Sequence, residues 1–248
     1  MVYPPREDSF LLLAFARVPR GTTVVEVGAG AGSAALSAAR EGARVVATDL
    51  NPTALCRLRA RARTQGLELE AVRTDLLRGL GRFDRVLANP PYLPTLPEER
   101  DPDPWANLAL DGGPDGCRVL ARLVEELADH LTPSGSAYVV VSSLQDSKRR
   151  NAILAGWESA GGCQEVAASR QLEGERLEVL RLYLGTKTGA RLRGARYAAR
   201  RTRARPRGTG GRRRSLRRNR SGSSRAIAPG RTNARGAASA RTRSPLGS

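Results

Sequence analysis

Two consecutive prolines, Pro90 and Pro91, follow the apolar segment 83–88 and limit the folds that this chain can form. Proline has no backbone N–H, so neither residue can continue the hydrogen-bond ladder of a central strand. Residues 83–88 are therefore predicted to be a buried strand that stops here, with Asn89 at its carboxyl end. Ligands bind at that end of the strands in an open α/β sheet. We expect Asn89 to lie at the mouth of a crevice.

The tetrapeptide Asn89-Pro90-Pro91-Tyr92 is suited to binding a planar amino group. The side-chain carbonyl of Asn89 and the backbone carbonyl of Pro90 can each accept one hydrogen of an NH2 group. Holding both hydrogens would direct the weakly nucleophilic nitrogen toward an incoming methyl group, and the Tyr92 ring could pack on the planar group. Asn89, Pro90 and Tyr92 are the candidate catalytic residues. The alternative is an Asn-Pro turn with a purely structural role.

Upstream segments predict a nucleotide-type cofactor site. A strand at residues 23–27 leads into a glycine-rich turn that includes Gly28 and Gly30, and a helix of small residues follows. The next strand ends at Asp49, about where a nucleotide-binding α/β unit places the carboxylate for ribose hydroxyls. A third strand, at 69–75, ends at Asp75, which could accept from an adenine amine. Either aspartate could instead be a helix cap.

The remaining segments complete an α/β pattern. Pro4 and Pro5 should hold the start of the chain extended, and Asp8 or Ser9 could cap the first helix. The functional interpretation is that this segment covers the cofactor, with Ser9 able to hydrogen-bond it. Residues 93–116 are predicted to be a long loop that shapes the substrate side. A helix at 118–131, a strand at 135–142, a helix at 146–159 and an antiparallel pair at 164–169 and 176–184 should follow.

Charge divides the chain at residue 185. Residues 1–185 contain 22 basic and 24 acidic residues, a net charge of −2, whereas 186–248 carry +20 and no acid. We therefore predict a catalytic domain at 1–185 and a disordered Arg/Gly/Ser-rich tail at 186–248, since the tail has too few large apolar residues to bury. Three interpretations of the tail stay open: nucleic-acid contact, an accessory segment, or a frameshift artefact of GC-rich coding DNA.

Histidine and cysteine usage argues against metal chemistry. His130 is the only histidine, and the three cysteines are widely spaced, so we expect no metal site and no histidine-based triad. Neither a leader with a cleavage site nor an apolar run of membrane-spanning length is evident. The expectation is a cytoplasmic protein without membrane contact.

The motifs together resemble the class I S-adenosylmethionine-dependent methyltransferases. Within them the chain is similar to the HemK-type protein glutamine N5-methyltransferases, in the short branch that lacks an N-terminal helical domain. The matching motifs are Val2-Tyr3-x-Pro5-x-Glu7-Asp8-Ser9-x-Leu11-Leu12, Glu26-x-Gly28-x-Gly30-x-Gly32, Asp49-x-Asn51-Pro52, Thr74-Asp75-Leu76, Asn89-Pro90-Pro91-Tyr92, Asp111-Gly112-Gly113-x-x-Gly116-x-Arg118 and Ser169-Arg170-Gln171.

This resemblance implies a Rossmann-like α/β fold with a seven-stranded, mostly parallel sheet and an antiparallel last strand. It implies S-adenosyl-L-methionine as cofactor, and the residues that would line it are Ser9, Glu26, Gly28, Gly30, Asp49, Asp75, Leu76 and Asn89. The implied substrate is the Gly-Gly-Gln loop of a class-one peptide-chain release factor, which Asn89 and Pro90 would hold by its amide. Eukaryotic and archaeal members of this branch work with a small zinc-ribbon activator subunit.

Three other functions stay open at this point. An adenine N6-methyltransferase acting on DNA or RNA would use the same Asn-Pro-Pro-Tyr geometry, with the basic tail on the phosphates. The −2 charge of residues 1–185 argues against it, because nucleic-acid binding requires basic residues. A small-molecule amine could also be the acceptor. A non-catalytic cofactor-binding module is disfavoured because Asp49, Asp75 and Asn89 are all present.

Overall fold

The computed structural model describes residues 5–185. The predicted basic tail at 186–248 and residues 1–4 lie outside this part of the chain. The strands are β1 (Thr23–Val27), β2 (Arg44–Asp49), β3 (Glu70–Arg73), β4 (Phe83–Ala88), β5 (Leu131–Ser142), β6 (Gly162–Leu172) and β7 (Glu175–Leu184). The helices are α1 (Glu7–Leu13), α2 (Ser33–Arg40), α3 (Pro52–Thr64), α4 (Pro104–Leu110), α5 (Arg118–His130) and α6 (Ser147–Ser159).

All seven strands form one sheet in the order β3-β2-β1-β4-β5-β7-β6. Strands β1 to β5 pair in parallel, whereas β7 is antiparallel to both β5 and β6. The predicted α/β fold, with a mostly parallel sheet and an antiparallel last strand, is confirmed. Parallel pairing places the carboxyl ends of β1 to β4 at one edge, and that edge carries the site.

Helices cover both faces of the sheet, and alternate residues of each strand bury into opposite faces. Val25 of β1 packs on one face with Leu123 and Leu127 of α5, whereas Val24 packs on the other with Leu36 of α2. All five side chains are at most 1% exposed. This two-sided burial explains the near-continuous apolar character of the strands and holds their polar ends in a fixed register.

The start of α1 differs from the prediction. The helix begins at Glu7 with Arg6 as its N-cap and no side-chain cap, so the expectation that Asp8 or Ser9 caps it is wrong. Two acidic residues in the first turn favour an earlier start, because they interact favourably with the helix dipole. The Asp8 side chain is buried instead, at 3% exposure, and is directed at another part of the chain.

Residues 93–116 are more ordered than predicted. They contain a 3₁₀ turn at Pro97–Glu99 and the helix α4. The Asp103 carboxylate accepts from the backbone N–H of Trp105 at 2.9 Å, and Pro104 occupies the first turn of α4, a favourable helix start. This Asp-Pro signal was present in the sequence, and the prediction of a loop without structure overlooked it.

Residues 5–185 contain neither a membrane-spanning helix nor a metal-binding cluster of side chains. No helix in this part of the chain is long and apolar enough to cross a membrane. The same residues contain no cluster of three or more histidine, cysteine, aspartate or glutamate side chains that could hold a metal ion.

Candidate active site

The carboxyl ends of the central strands open into a cavity of about 470 Å³. This volume lies within the range of about 300–1,000 Å³ that is usual for small-molecule sites. All ten residues that the sequence predicted for the site line this cavity: Ser9, Glu26, Gly28, Gly30, Asp49, Asp75, Leu76, Asn89, Pro90 and Tyr92. The structure thus brings together candidates from five separate segments, and their individual roles stay predictions.

The turn after β1 leaves its backbone open to the cavity. Gly28 has a φ of +64°, in the region that favours glycine, and a Cβ placed there would meet no atom within 4 Å. The space in front of Gly28 is therefore available to a ligand that approaches the main chain closely. Gly30, two residues on, lines the same cavity and has its N–H held by a carboxylate.

Glu26 anchors this turn to the helix that follows it. Its carboxylate, 7% exposed, accepts from the backbone N–H groups of Ala35 at 2.7 Å and Ala34 at 3.4 Å. Both groups lie in the first turn of α2, where backbone N–H groups lack helical partners. Burial raises the pKa of Glu26 to about 7, against the opposing effect of these two hydrogen bonds.

Asp49 retains acceptor capacity toward the cavity. Its Oδ2 accepts from the N–H of Gly30 at 2.8 Å, and its Oδ1 accepts from the N–H of Asn51 at 2.7 Å. Each carboxylate oxygen can accept a second hydrogen bond. The backbone thus orients Asp49 while leaving it able to hold two hydroxyl groups of a ligand.

The segment after β3 supplies a second carboxylate and an unusual backbone. Asp75 forms an ion pair with Arg122 of α5 through its Oδ2 at 2.5 Å, while its Oδ1 has no partner among residues 5–185. Leu76 has a φ of +54°, and no other non-glycine residue in the described chain has a positive φ. Its carbonyl accepts from Thr48 Oγ1 at 3.2 Å. Strained backbone of this kind is concentrated at ligand sites.

The side chain of Asn89 has a buried acceptor atom that forms no hydrogen bond within residues 5–185. Within residues 5–185 its Oδ1 is buried and has no hydrogen-bond partner. An unpaired buried polar atom costs about 1–3 kcal/mol, so native proteins keep few of them. Asn89 lies one residue beyond the end of β4 and on the wall of the cavity, where an N–H group of a ligand would satisfy this atom.

Tyr92 is tied to α1 across the cavity. Its hydroxyl donates to Asp8 Oδ2 at 3.3 Å, and Asp8 Oδ1 accepts from the N–H of Ser9 at 2.6 Å and from its hydroxyl at 3.2 Å. Asp8 lines the cavity, and sequence reasoning had assigned it only to a helix cap. The signal that could have found it is a carboxylate on a helix whose other inward side chains are apolar.

We expect Tyr92→Phe to lower the free energy of unfolding by about 1 kcal/mol, because buried Asp8 then loses a hydrogen-bond donor. The measurement is urea unfolding of both proteins, with the stability taken from linear extrapolation. Tyr183→Phe is the matched control, since Tyr183 lies on β7 outside the cavity lining. Equal stability changes in the two variants would show that the Tyr92–Asp8 hydrogen bond contributes nothing.

Side chains of α4 form part of the cavity wall, and one carboxylate fixes the segments on either side of this helix. Trp105 and Leu108 of α4 line the cavity. Asp111, 4% exposed at the end of α4, forms ion pairs with Arg100 at 3.1 Å and Arg118 at 3.2 Å. Burial alone would raise the pKa of Asp111, but the N–H of Gly113 and the two guanidinium groups lower it overall. Asp111 is therefore ionised. Its ion pairs connect Arg100, which precedes α4, with Arg118 at the start of α5.

Comparison with known proteins matches this arrangement. Residues 7–100 fit the model of the methyltransferase small domain family. Methyltransferase HEMK2 of Mus musculus is 34% identical over 193 residues, covering 73% of this chain and 88% of the mouse protein. The release factor glutamine methyltransferase of Deinococcus radiodurans is 38% identical over 178 residues, covering 67% of this chain and 61% of its own length.

A solved structure extends the likeness to the fold. A chain of the E. cuniculi Mtq2–Trm112 complex, described as responsible for the methylation of the eRF1 translation termination factor, matches with a TM-score of 0.56 and 26% identity. The match covers 74% of this chain and 98% of that one.

The sheet order, the glycine turn after β1 and the cavity at the strand ends, together with the family match, define a class I S-adenosylmethionine-dependent methyltransferase. More particularly, the chain belongs to the HemK family of protein glutamine methyltransferases. The resemblance to the HemK-type methyltransferases is therefore confirmed, and the cofactor is S-adenosylmethionine. The residues present fit it, since open space at Gly28 and carboxylates at Asp49 and Asp75 provide room for a nucleoside and acceptors for its donors.

Proposed function

We propose that this protein methylates the side-chain amide nitrogen of a glutamine, in the Gly-Gly-Gln loop of a class-one peptide-chain release factor. The observation that carries the proposal is the buried, unpaired Oδ1 of Asn89 on the cavity wall, followed directly by Pro90. The names of the relatives support the substrate, since release factor glutamine methyltransferases and a complex that methylates eRF1 are among them.

The residues after β4 would orient the substrate amide. Asn89 Oδ1 accepts one hydrogen of the amide NH2 group, and the Pro90 carbonyl accepts the other. This arrangement presents the nitrogen in a fixed direction, and orientation of this kind can supply about 7–11 kcal/mol of barrier reduction. Tyr92, fixed by Asp8, packs on the planar amide. The bound cofactor supplies an electrophilic methyl group, and the proton lost from nitrogen passes to water.

The other predicted residues would hold the cofactor. Asp49 accepts from the ribose hydroxyls, and Asp75 accepts from the adenine amine through the oxygen that Arg122 does not use. The remaining lining comes from Ser9, Glu26, Gly28, Gly30 and Leu76. Glu26 acts mainly by fixing the glycine turn, because its carboxylate is engaged by α2.

We expect Asp49→Ala to weaken S-adenosylmethionine binding by about 1–3 kcal/mol, since the ribose hydroxyls lose acceptors in a buried site. The same change releases the N–H of Gly30 and loosens the turn. Isothermal calorimetry of the full chain measures the effect. Asp129→Ala on α5, outside the cavity lining, should bind like the wild type. An affinity of Asp49→Ala equal to that of the wild type would show that Asp49 does not bind the ribose hydroxyls.

The charge of the cavity favours a protein acceptor over nucleic acid. Six acidic residues but only two basic ones line it: Glu7, Asp8, Glu26, Asp49, Asp75 and Glu175, against Arg6 and Arg122. A phosphate backbone requires basic side chains that replace its counterions. An acidic lining repels phosphates and is compatible with a cationic cofactor and an uncharged amide.

Residues 1–185 are proposed to be the complete catalytic unit. The match to the E. cuniculi chain covers 74% of this chain, close to the share that precedes residue 186. That structure contains two proteins, so a small activator subunit is part of the proposal. The tail at 186–248 is assigned no role in the reaction.

The test is transfer of tritiated methyl groups from the cofactor to purified release factor, with and without a small zinc-ribbon subunit. Label should enter wild-type release factor and be absent from a release factor whose Gly-Gly-Gln glutamine is replaced by alanine. DNA and RNA oligonucleotides serve as competing acceptors. Label in adenine, together with unlabelled release factor under both conditions, would assign the protein to the adenine methyltransferases instead.

A further inference from the structure

The sheet order separates the two sides of the methyl-transfer site. Glu26, Asp49 and Asp75 belong to the ends of β1, β2 and β3, which all lie on one side of β4. Strands β5 and β7 lie on the other side of β4. Neighbouring strands of a sheet are about 4.8 Å apart. If the cofactor occupies the side of the three carboxylates, the methyl acceptor must approach Asn89 from the side of β5 and β7.

The first residue of β7 supplies a carboxylate on that acceptor side. Glu175 begins β7 and lines the cavity. Ser142, the last residue of β5, pairs with Leu177, so antiparallel β7 extends back past the end of β5 to reach Glu175. This extension brings a charged side chain from the closing hairpin to the same edge of the sheet as Asn89.

The position of Glu175 is fixed by its surroundings. Its Oε1 accepts from the hydroxyl of Ser142, a residue 1% exposed, at 2.5 Å. Gln171 donates its side-chain amide to the carbonyls of Leu172 and Glu175, at 2.9 and 3.1 Å, and so closes the turn. Ser143 bonds the backbone of Arg176 at 2.9 Å. The second oxygen, Oε2, has no partner among residues 5–185, which leaves an oriented acceptor on the cavity wall.

We propose that Glu175 is a substrate-positioning residue whose Oε2 accepts a hydrogen bond from a backbone N–H of the peptide that carries the target glutamine. This inference rests on the proposed function. Glycine-flanked loops expose their N–H groups without side chains in the way, and a hydrogen bond to a carboxylate is stronger than one between neutral groups. A second contact, in addition to those that Asn89 and Pro90 make with the amide, would favour binding of an extended peptide over a free amine or an isolated base.

The experiment compares steady-state methylation of release factor by the full chain and by Glu175→Ala. The KM for release factor should rise about tenfold, the usual effect of losing one charge-assisted hydrogen bond. The kcat should change by less than about threefold, because Asn89 and Pro90 still orient the substrate amide. Calorimetric affinity for S-adenosylmethionine should stay at the wild-type value.

Two further variants keep the test decisive. Glu173→Ala changes a carboxylate on the same turn that does not line the cavity, and should behave like the wild type. Glu175→Gln retains an oxygen for the Ser142 hydroxyl and should still raise the KM, so it decides the outcome if Glu175→Ala is unstable.

A KM within twofold of wild type in Glu175→Gln, or a loss of cofactor affinity in place of the KM effect, would overturn this role while leaving the proposed function intact. Wild-type protein that labels no release factor would instead reject the proposed function, and the inference with it.

Discussion

Asn89→Ala should reduce kcat for glutamine methylation by at least about 10²–10³, the loss seen when one preorganised group is removed from a transition-state site. The substitution removes the buried Oδ1 that has no partner within residues 5–185, so the substrate amide keeps only the Pro90 carbonyl. Tritium transfer to release factor under single-turnover conditions measures the effect on chemistry directly. Cofactor affinity should be largely retained, because Asp49 and Asp75 are unchanged.

Asn151→Ala provides the matched control for this prediction. Asn151 is an exposed asparagine on α6, outside the cavity lining, and its loss should leave turnover unchanged. A kcat for Asn89→Ala within tenfold of the control would mean that another group orients the amide. The assignment of Asn89 as a catalytic residue would then be wrong.

Gly116→Ala should destabilise the protein by about 2–4 kcal/mol, which combines the penalty for an L-residue in the left-handed region with that for overpacking. Gly116 has a φ of +70°, and an added Cβ would lie 2.4 Å from the backbone oxygen of Tyr92. Backbone cannot move aside as a flexible side chain can. The displaced backbone at Tyr92 directly follows Asn89 and Pro90, which orient the substrate amide in the proposed function. Turnover should therefore fall together with stability. Urea unfolding and methyl transfer, measured on one preparation, test both expectations.

Gly66→Ala is the control that separates the close contact with Tyr92 from the cost of the left-handed backbone conformation. Gly66 has a similar φ of +64°, but a Cβ there would meet nothing within 4 Å. We expect a loss of about 1–2 kcal/mol from the left-handed conformation alone, and no change in turnover. Equal losses of stability in the two variants would show that the contact between Gly116 and Tyr92 has no energetic weight.

Local signals in the sequence predicted the strands of the sheet and the polar residues at their carboxyl ends. β1 begins and ends where the sequence predicted it, and the predicted helix of small residues follows as α2, because an apolar strand, a glycine turn and a small-residue helix are each defined within a few residues. Asn51 and Pro52 start α3 through an equally local signal, with the Asn51 side chain accepting from the N–H of Thr53. The double proline defined the end of β4 through the loss of two backbone donors.

The contacts that α1 and the β6–β7 hairpin make around the cavity were decided only by the tertiary structure. Tyr92 bonds to Asp8 across 84 positions of sequence, and Ser142 bonds to Glu175 across 33. No local spacing specifies such pairs, since they depend on how α1 and the β6–β7 hairpin pack over the sheet edge. The sequence by itself determined which polar residues end the parallel strands, because a strand end is a local property of the backbone. Which distant side chains meet there depended on the antiparallel register of β5 and β7, which pairing between strands sets.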